Sequence, residues 1–75
     1  MTPSIESIID KMKTQPAGIR PSEVERVLEA NGYRFVRQKG SHKNYRNGFG
    51  DVITIKIETP LKAVYVKDVL KRIKE

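Results

Sequence analysis

Tyr33-Arg34-Phe35-Val36-Arg37-Gln38-Lys39-Gly40-Ser41-His42-Lys43-Asn44-Tyr45-Arg46-Asn47-Gly48 decides the fold, because the hydrophobic period changes here. Up to Gly32 the apolar residues recur three and four apart, the spacing of one helix face. From Tyr33 onward they alternate with polar ones, the period of a strand. Tyr33 to Lys39 therefore predicts a strand with Tyr33 and Phe35 on one face. Gly40 is a turn or bulge position, and Ser41 to Asn47 predicts a second strand. Asn47-Gly48-Phe49-Gly50-Asp51 is a turn cluster, where glycine can take positive φ. Val52 to Ile57 predicts a third strand, with Ile53, Ile55 and Ile57 facing one way and Val52, Thr54 and Lys56 the other.

Upstream, Ile5, Ile8, Ile9 and Met12 line one face of a helix from Ser4 to Thr14, with Thr2 and Pro3 as entry residues and Gln15-Pro16-Ala17-Gly18 as its break. A second helix is expected from Ser22, where Ser22 and Glu25 have capping-box spacing. Val24, Val27 and Leu28 form its stripe, and Asn31-Gly32 ends it. Downstream of Thr59-Pro60, Val66, Val69, Leu70 and Ile73 define a last helix from Val64 to Lys74, with Asp68 and Arg72 paired one turn apart. The order is α-α-β-β-β-α. This is an α+β domain in which helices cover one face of a three-stranded antiparallel sheet.

The other face of the sheet stays open, and function is expected there. With the isoleucines, Tyr33, Phe35 and Tyr45 inward, alternation turns Arg34, Val36, Gln38, His42, Asn44, Arg46, Thr54 and Lys56 outward. Arg37, Lys39 and Lys43 share the inward parity, although near strand ends their heads can reach solvent, and a bulge at Gly40 would change the phase. Phe49, in the Gly-rich loop, is either an anchor for a partner or a plug over the sheet edge.

Composition limits what such a domain can do. The chain has 75 residues, enough for one domain that buries about 60% of its unfolded surface. It contains no Cys and one His, which excludes disulfides, thiolate zinc sites, Cys nucleophiles and multi-His metal centres. No apolar run reaches the roughly 20 residues that cross a bilayer, and no signal-peptide pattern opens the chain. A cytoplasmic domain with no membrane contact is expected.

The net charge of +6 is unevenly placed. Residues 1–31 hold 4 basic and 5 acidic side chains, whereas residues 32–75 hold 11 and 4. Between Tyr33 and Gly48 there are five basic residues and no acid. Such a field suits a polyanion or an acidic protein.

The only His, His42, falls among these cations. An imidazole exchanges protons near neutral pH. RNA cleavage by the 2′-hydroxyl needs a base, an acid and cations around the phosphate. Lys39, Lys43 and Arg46 are the expected phosphate contacts, acting through charge and counterion release. Gly40 and Ser41 complete the expected substrate-binding set, Gly40 by opening space at the turn and Ser41 by orienting the turn or the His. No metal ligand and no cofactor are expected. Residues alone also leave open a non-catalytic RNA-binding module and a basic protein-interaction domain.

Gly40-Ser41-His42, preceded by Val36-Arg37-Gln38-Lys39 and followed by Lys43-Asn44-Tyr45-Arg46, resembles the central motif of the HicA toxin family. These are small ribosome-independent mRNA interferases of bacterial and archaeal toxin–antitoxin systems. The resemblance extends upstream to Asn31-Gly32-Tyr33 and downstream through Ile53-Thr54-Ile55 to the Lys-rich last helix, over residues 20–75. On this basis residues 1–18 are an additional N-terminal helix and linker, and residues 19–75 the HicA-like core. The resemblance implies a double-stranded-RNA-binding-domain-like fold, an mRNA substrate and a catalytic His42 acting as general acid or base without metal. It also implies a HicB-like antitoxin that blocks the active face. After the third strand the family usually has a Pro and often a second His, where this chain has Lys56 and Glu58.

Overall fold

Ser4 opens the first helix by accepting a hydrogen bond from the Ser7 backbone N–H at 3.1 Å, the role short hydroxyl side chains fill at helix starts. The computed structural model describes residues 4–73. Thr2, Pro3 and Lys74, expected at the two ends of the helical pattern, lie outside the described residues. Helix α1 runs Ile5–Thr14 and buries Ile8, Ile9 and Met12, the stripe its spacing predicts. A 3₁₀ turn, Pro16–Gly18, breaks it and delivers Ile19 into the core.

Helix α2 is Pro21–Ala30, two residues earlier than the Ser22/Glu25 capping-box spacing suggests. Pro21 takes the first helical position, where its missing N–H costs nothing. The acid three residues after the cap is therefore Glu23, whose carboxylate accepts the Arg20 backbone N–H at 3.0 Å. Ser22 and Glu25 consequently do not form the capping pair, and Glu25 is free to turn toward the sheet. Asn31 and Gly32, the latter at φ 86°, close α2.

The sheet has the order β1-β2-β3, with β1 Arg34–Lys39, β2 His42–Arg46 and β3 Val52–Lys56, antiparallel throughout. Gly40 and Ser41 form the two-residue turn between β1 and β2, Gly40 at φ 58°. Helix α3, Ala63–Arg72, returns across the helix layer, its chain tied to the start of α2 where the Leu61 N–H donates to the Ile19 carbonyl at 2.8 Å. No helix among the described residues is long and apolar enough to cross a membrane.

Tyr45, Ile53 and Ile55 point into one core with Val24, Val27, Leu28, Leu61, Val66 and Val69. Helix α1 packs on α2 and α3 and adds Ile8, Ile9 and Met12 to that same core. The cover stops short of β1, every residue of which is exposed. Phe35, expected inside, is 53% exposed for this reason.

The pairing also departs from simple alternation. Phe35 lies opposite Tyr45, but Arg37 lies opposite Asn44, so the extra residue is Val36 and the bulge sits there rather than at Gly40. A bulge inserts one residue and reverses the phase of the strand beyond it. Gln38 thereby moves to the helix side, opposite Lys43, while Arg37 and Lys39 move to the open side, against their expected parity.

Candidate functional site

The open face consists of three cross-strand rows. At the turn end Lys39 and Lys56 lie directly opposite His42, one on each side. Arg37, Asn44 and Thr54 form the middle row, and Arg34, Arg46 and Val52 the far one. Directly opposed residues share a face and stand about 5 Å apart, so the rows present Arg34, Arg37, Lys39, Arg46 and Lys56 around His42. No strand residue on this face is acidic.

The turn that carries the Gly-Ser-His sequence is braced by two hydrogen bonds. The Gln38 side-chain amide donates to the Gly40 carbonyl at 3.0 Å, and the Ile57 N–H donates to the Ser41 carbonyl at 2.6 Å. Gly40 takes the left-handed conformation that a side chain would strain. Gly40 and Ser41 thus shape the backbone that aims His42, whose imidazole is exposed and makes no hydrogen bond among the described residues. In the middle row Thr54 Oγ1 donates to Asn44 Oδ1 at 2.7 Å, which leaves the Asn44 NH₂ group free on the open face.

Of the expected phosphate contacts, Lys39 and Arg46 stand on this face and Lys43 does not. Lys43 has the parity of Tyr45 and turns to the helix side. There its ammonium lies 2.7 Å from Glu25 and 5.2 Å from the centre of the Phe35 ring. The Tyr45 hydroxyl donates to the same Glu25 oxygen at 2.5 Å. These two donors, Lys43 first, hold the Glu25 carboxyl below its ordinary range, while burial and Glu25 together push the Tyr45 hydroxyl up. The bulge supplies a cation in exchange: Arg37, set inward by alternation, faces the same way as His42. Nothing in Phe35-Val36-Arg37 signals this, because a bulge without glycine has no compositional mark.

The acids are held away from the three rows. At the far end of the sheet Asp51 accepts from the Tyr33 hydroxyl at 2.5 Å and from the Arg72 guanidinium at 2.6 Å. Both keep the Asp51 carboxyl below its ordinary range, and burial followed by this bond pushes the Tyr33 hydroxyl up to about 12. The expected Asp68–Arg72 pair forms at 3.4 Å. Glu58 is the nearest acid at the turn end, 3.2 Å from the Lys56 ammonium and 4.0 Å from that of Lys62. The last residue of β3 thus places a cation beside His42, and Glu58, two residues on, sets a carboxylate behind that cation.

No three His, Asp, Glu or Cys side chains among the described residues group as a metal site. A hollow of about 180 Å³ between α1 and α2 is lined by Ser7, Ile8, Lys11 and Glu23, and its two charged groups already pair at 3.1 Å. A flat cationic surface with a titratable group at one end suits an extended polyanion better than a small molecule, which needs a concave pocket.

No curated protein and no solved structure matches the chain. Residues 21–74 do match a family described as the HicA toxin of bacterial toxin-antitoxin systems, a stretch that takes in α2, the whole sheet and α3 and leaves α1 outside. The match spans well over half of the 75 residues, and the chain therefore belongs to the HicA toxin family, toxins of toxin–antitoxin pairs that are generally endoribonucleases.

Proposed function

We propose that the chain is an mRNA interferase that lays RNA across the open face of its sheet and cuts it beside His42. The observation that carries this reading is the bulge at Val36, which gathers Arg37 and Lys39 onto the face that already holds His42, Arg46 and Lys56. In the reaction the 2′-hydroxyl loses its proton and its oxygen bonds to phosphorus. The bond from phosphorus to the 5′-oxygen breaks, and that oxygen takes up a proton. His42 performs one of the two transfers, worth about 10²–10⁴-fold in rate. Lys39 and Lys56, on either side of it, stabilise the crowded phosphate, and Arg37 and Arg46 hold the strand by charge. Because side chains supply these cations, cleavage proceeds without metal. A HicB-like antitoxin neutralises the toxin by covering the same face with acidic groups, and both work in the cytoplasm, where mRNA is.

The test is expression of wild type and His42→Ala, with mRNA decay and growth followed, and cleavage by purified protein with and without a chelator. His42 is exposed, so its removal leaves the fold intact. Loss of decay and of growth arrest with the substitution is the expected result. Decay and arrest that persist in His42→Ala refute the catalytic role, and cleavage abolished by the chelator refutes metal independence. One observation favours a second reading, a non-catalytic RNA-binding module. The His42 imidazole lacks a hydrogen-bonding partner to orient it, and Lys56 rather than a second acid–base group stands opposite. RNA bound with strong salt dependence but left uncut identifies that case.

A further inference from the structure

Phe49 is 98% exposed at the tip of the loop between β2 and β3, which excludes its being a plug over the sheet edge. The loop is nevertheless tightly built. Asn47 Oδ1 accepts the backbone N–H groups of Phe49 at 3.0 Å and of Asp51 at 2.9 Å. Main-chain bonds join Asn47 to Asp51 and Gly50 to Asn47, and Asp51 is itself clamped by Tyr33 and Arg72. The backbone under the ring is therefore ordered in advance, so a ligand need not bear the cost of ordering it.

The neighbours of the ring keep its faces clear. Gly50 sits at φ 87°, a conformation that favours glycine, but Gly48 has no such requirement. A Cβ built on either residue would meet nothing within 4 Å. Flanked by two residues without side chains, the ring stands with open space around it.

The loop leaves β2 directly after Arg46, in the row with Arg34 and the exposed Val52. From His42 to Arg46 the strand advances about 13 Å. The track thus runs from a proton-transfer group, past cations, to an exposed aromatic ring. We propose that Phe49 is a stacking subsite for one nucleobase of single-stranded RNA, at the end of the track remote from His42. This rests on the RNA-binding reading above and adds to it a place where a base, not only the phosphate backbone, is held. Stacking is sequence-tolerant because every base has a π-face. A second copy of the chain is the wrong occupant, since like-charged halves repel. A protein anchor is the wrong fit, because such residues work inside a ring of contacts that excludes water, which two glycines do not supply.

The test uses the full chain carrying His42→Ala, to prevent cutting, and an oligouridine of about 12 nucleotides, within the size range of single-strand sites. Phe49→Ala is expected to weaken binding about 5- to 150-fold, the loss of one stacked base. The dependence of affinity on salt should stay unchanged, since no phosphate contact is lost. Phe49→Leu should lose a similar factor, because it keeps apolar area but no π-face. Phe49→Trp should retain affinity and give indole emission quenched by the RNA, readable because the chain has no other Trp. Salt-dependent RNA binding that ignores all three substitutions, without quenching, overturns the subsite and leaves the RNA-binding reading standing. Absence of RNA binding by the parent chain overturns both. Loss of affinity for an acidic antitoxin in Phe49→Ala, with RNA binding unchanged, also overturns the subsite and makes the loop a protein contact.

Discussion

Glu25→Ala offers the sharpest check on the architecture beneath the open face. One carboxylate oxygen of Glu25 accepts from the Lys43 ammonium at 2.7 Å and from the Tyr45 hydroxyl at 2.5 Å, tying α2 to the middle strand. The two donors differ in what they lose. Lys43 retains 25% side-chain exposure and returns to water, so its share is that of a surface ion pair, about 0–1 kcal/mol. Tyr45 is 2% exposed, and its hydroxyl is left without a partner, at a cost of about 1–3 kcal/mol. The sum is about 1–4 kcal/mol, a large part of the roughly 4–11 kcal/mol expected for a domain of this length. With an m-value of about 1 kcal/mol/M, the urea midpoint read by far-UV circular dichroism falls by about 1–4 M. Glu25→Gln keeps an acceptor for the hydroxyl and costs less. Adding Tyr45→Phe to Glu25→Ala removes the stranded group and returns part of the loss, a coupling that a double-mutant cycle measures. The reasoning is refuted if Glu25→Ala stays within about 0.5 kcal/mol of wild type, or if Tyr45→Phe costs the same with and without Glu25.

Two more outcomes are expected from the same geometry. Lys39→Ala and Arg37→Ala should each lower the slope of log affinity against log salt for RNA by about 1, whereas Lys43→Ala should leave the slope unchanged because Lys43 faces the helices; a slope that responds to Lys43 alone contradicts the assignment of faces. Acid should destabilise the fold through Glu25 and Asp51, whose folded pKa values lie below the ordinary 4.5 and 3.8. A depressed carboxylate contributes stability that is intact above its unfolded value and is lost as pH falls through the folded one. The urea midpoint should therefore hold down to about pH 5 and decline below about 4.5, with a shallower decline in Glu25→Ala; parallel declines in the two chains would contradict Glu25's part in it.

Much of the fold is legible along the chain. Ile8, Ile9 and Met12, then Val24, Val27 and Leu28, occur at helical spacing and are buried as that spacing requires. Ile53 and Ile55 alternate with exposed Val52 and Thr54 in β3, again as expected. Gly40 reads as a turn or bulge position, although Ser41, expected to open the second strand, belongs to the turn as well, and His42 stands on the open face by parity. Where neighbouring residues compete for one role, the reading is weaker. Ser22 and Glu25 have the right spacing for a cap, yet Pro21 takes the first helical position, which moves the cap two residues earlier and hands the acid's role to Glu23.

By itself, then, the sequence determines the elements, their order, the apolar stripes and the concentration of cations around one His, because each depends on residues a few positions apart. The family resemblance rests on this same local pattern. Only the tertiary structure decides which cations share a face with that His. The bulge at Val36 is defined only by how β1 pairs with β2 across the hairpin, and the register beyond it puts Arg37 and Lys39 on the face of His42. Lys43 is drawn the other way by Glu25, 18 residues distant in the chain. Alternation fixes a side chain's face only while the strand is regular, and regularity is a property of the pair of strands, not of either one.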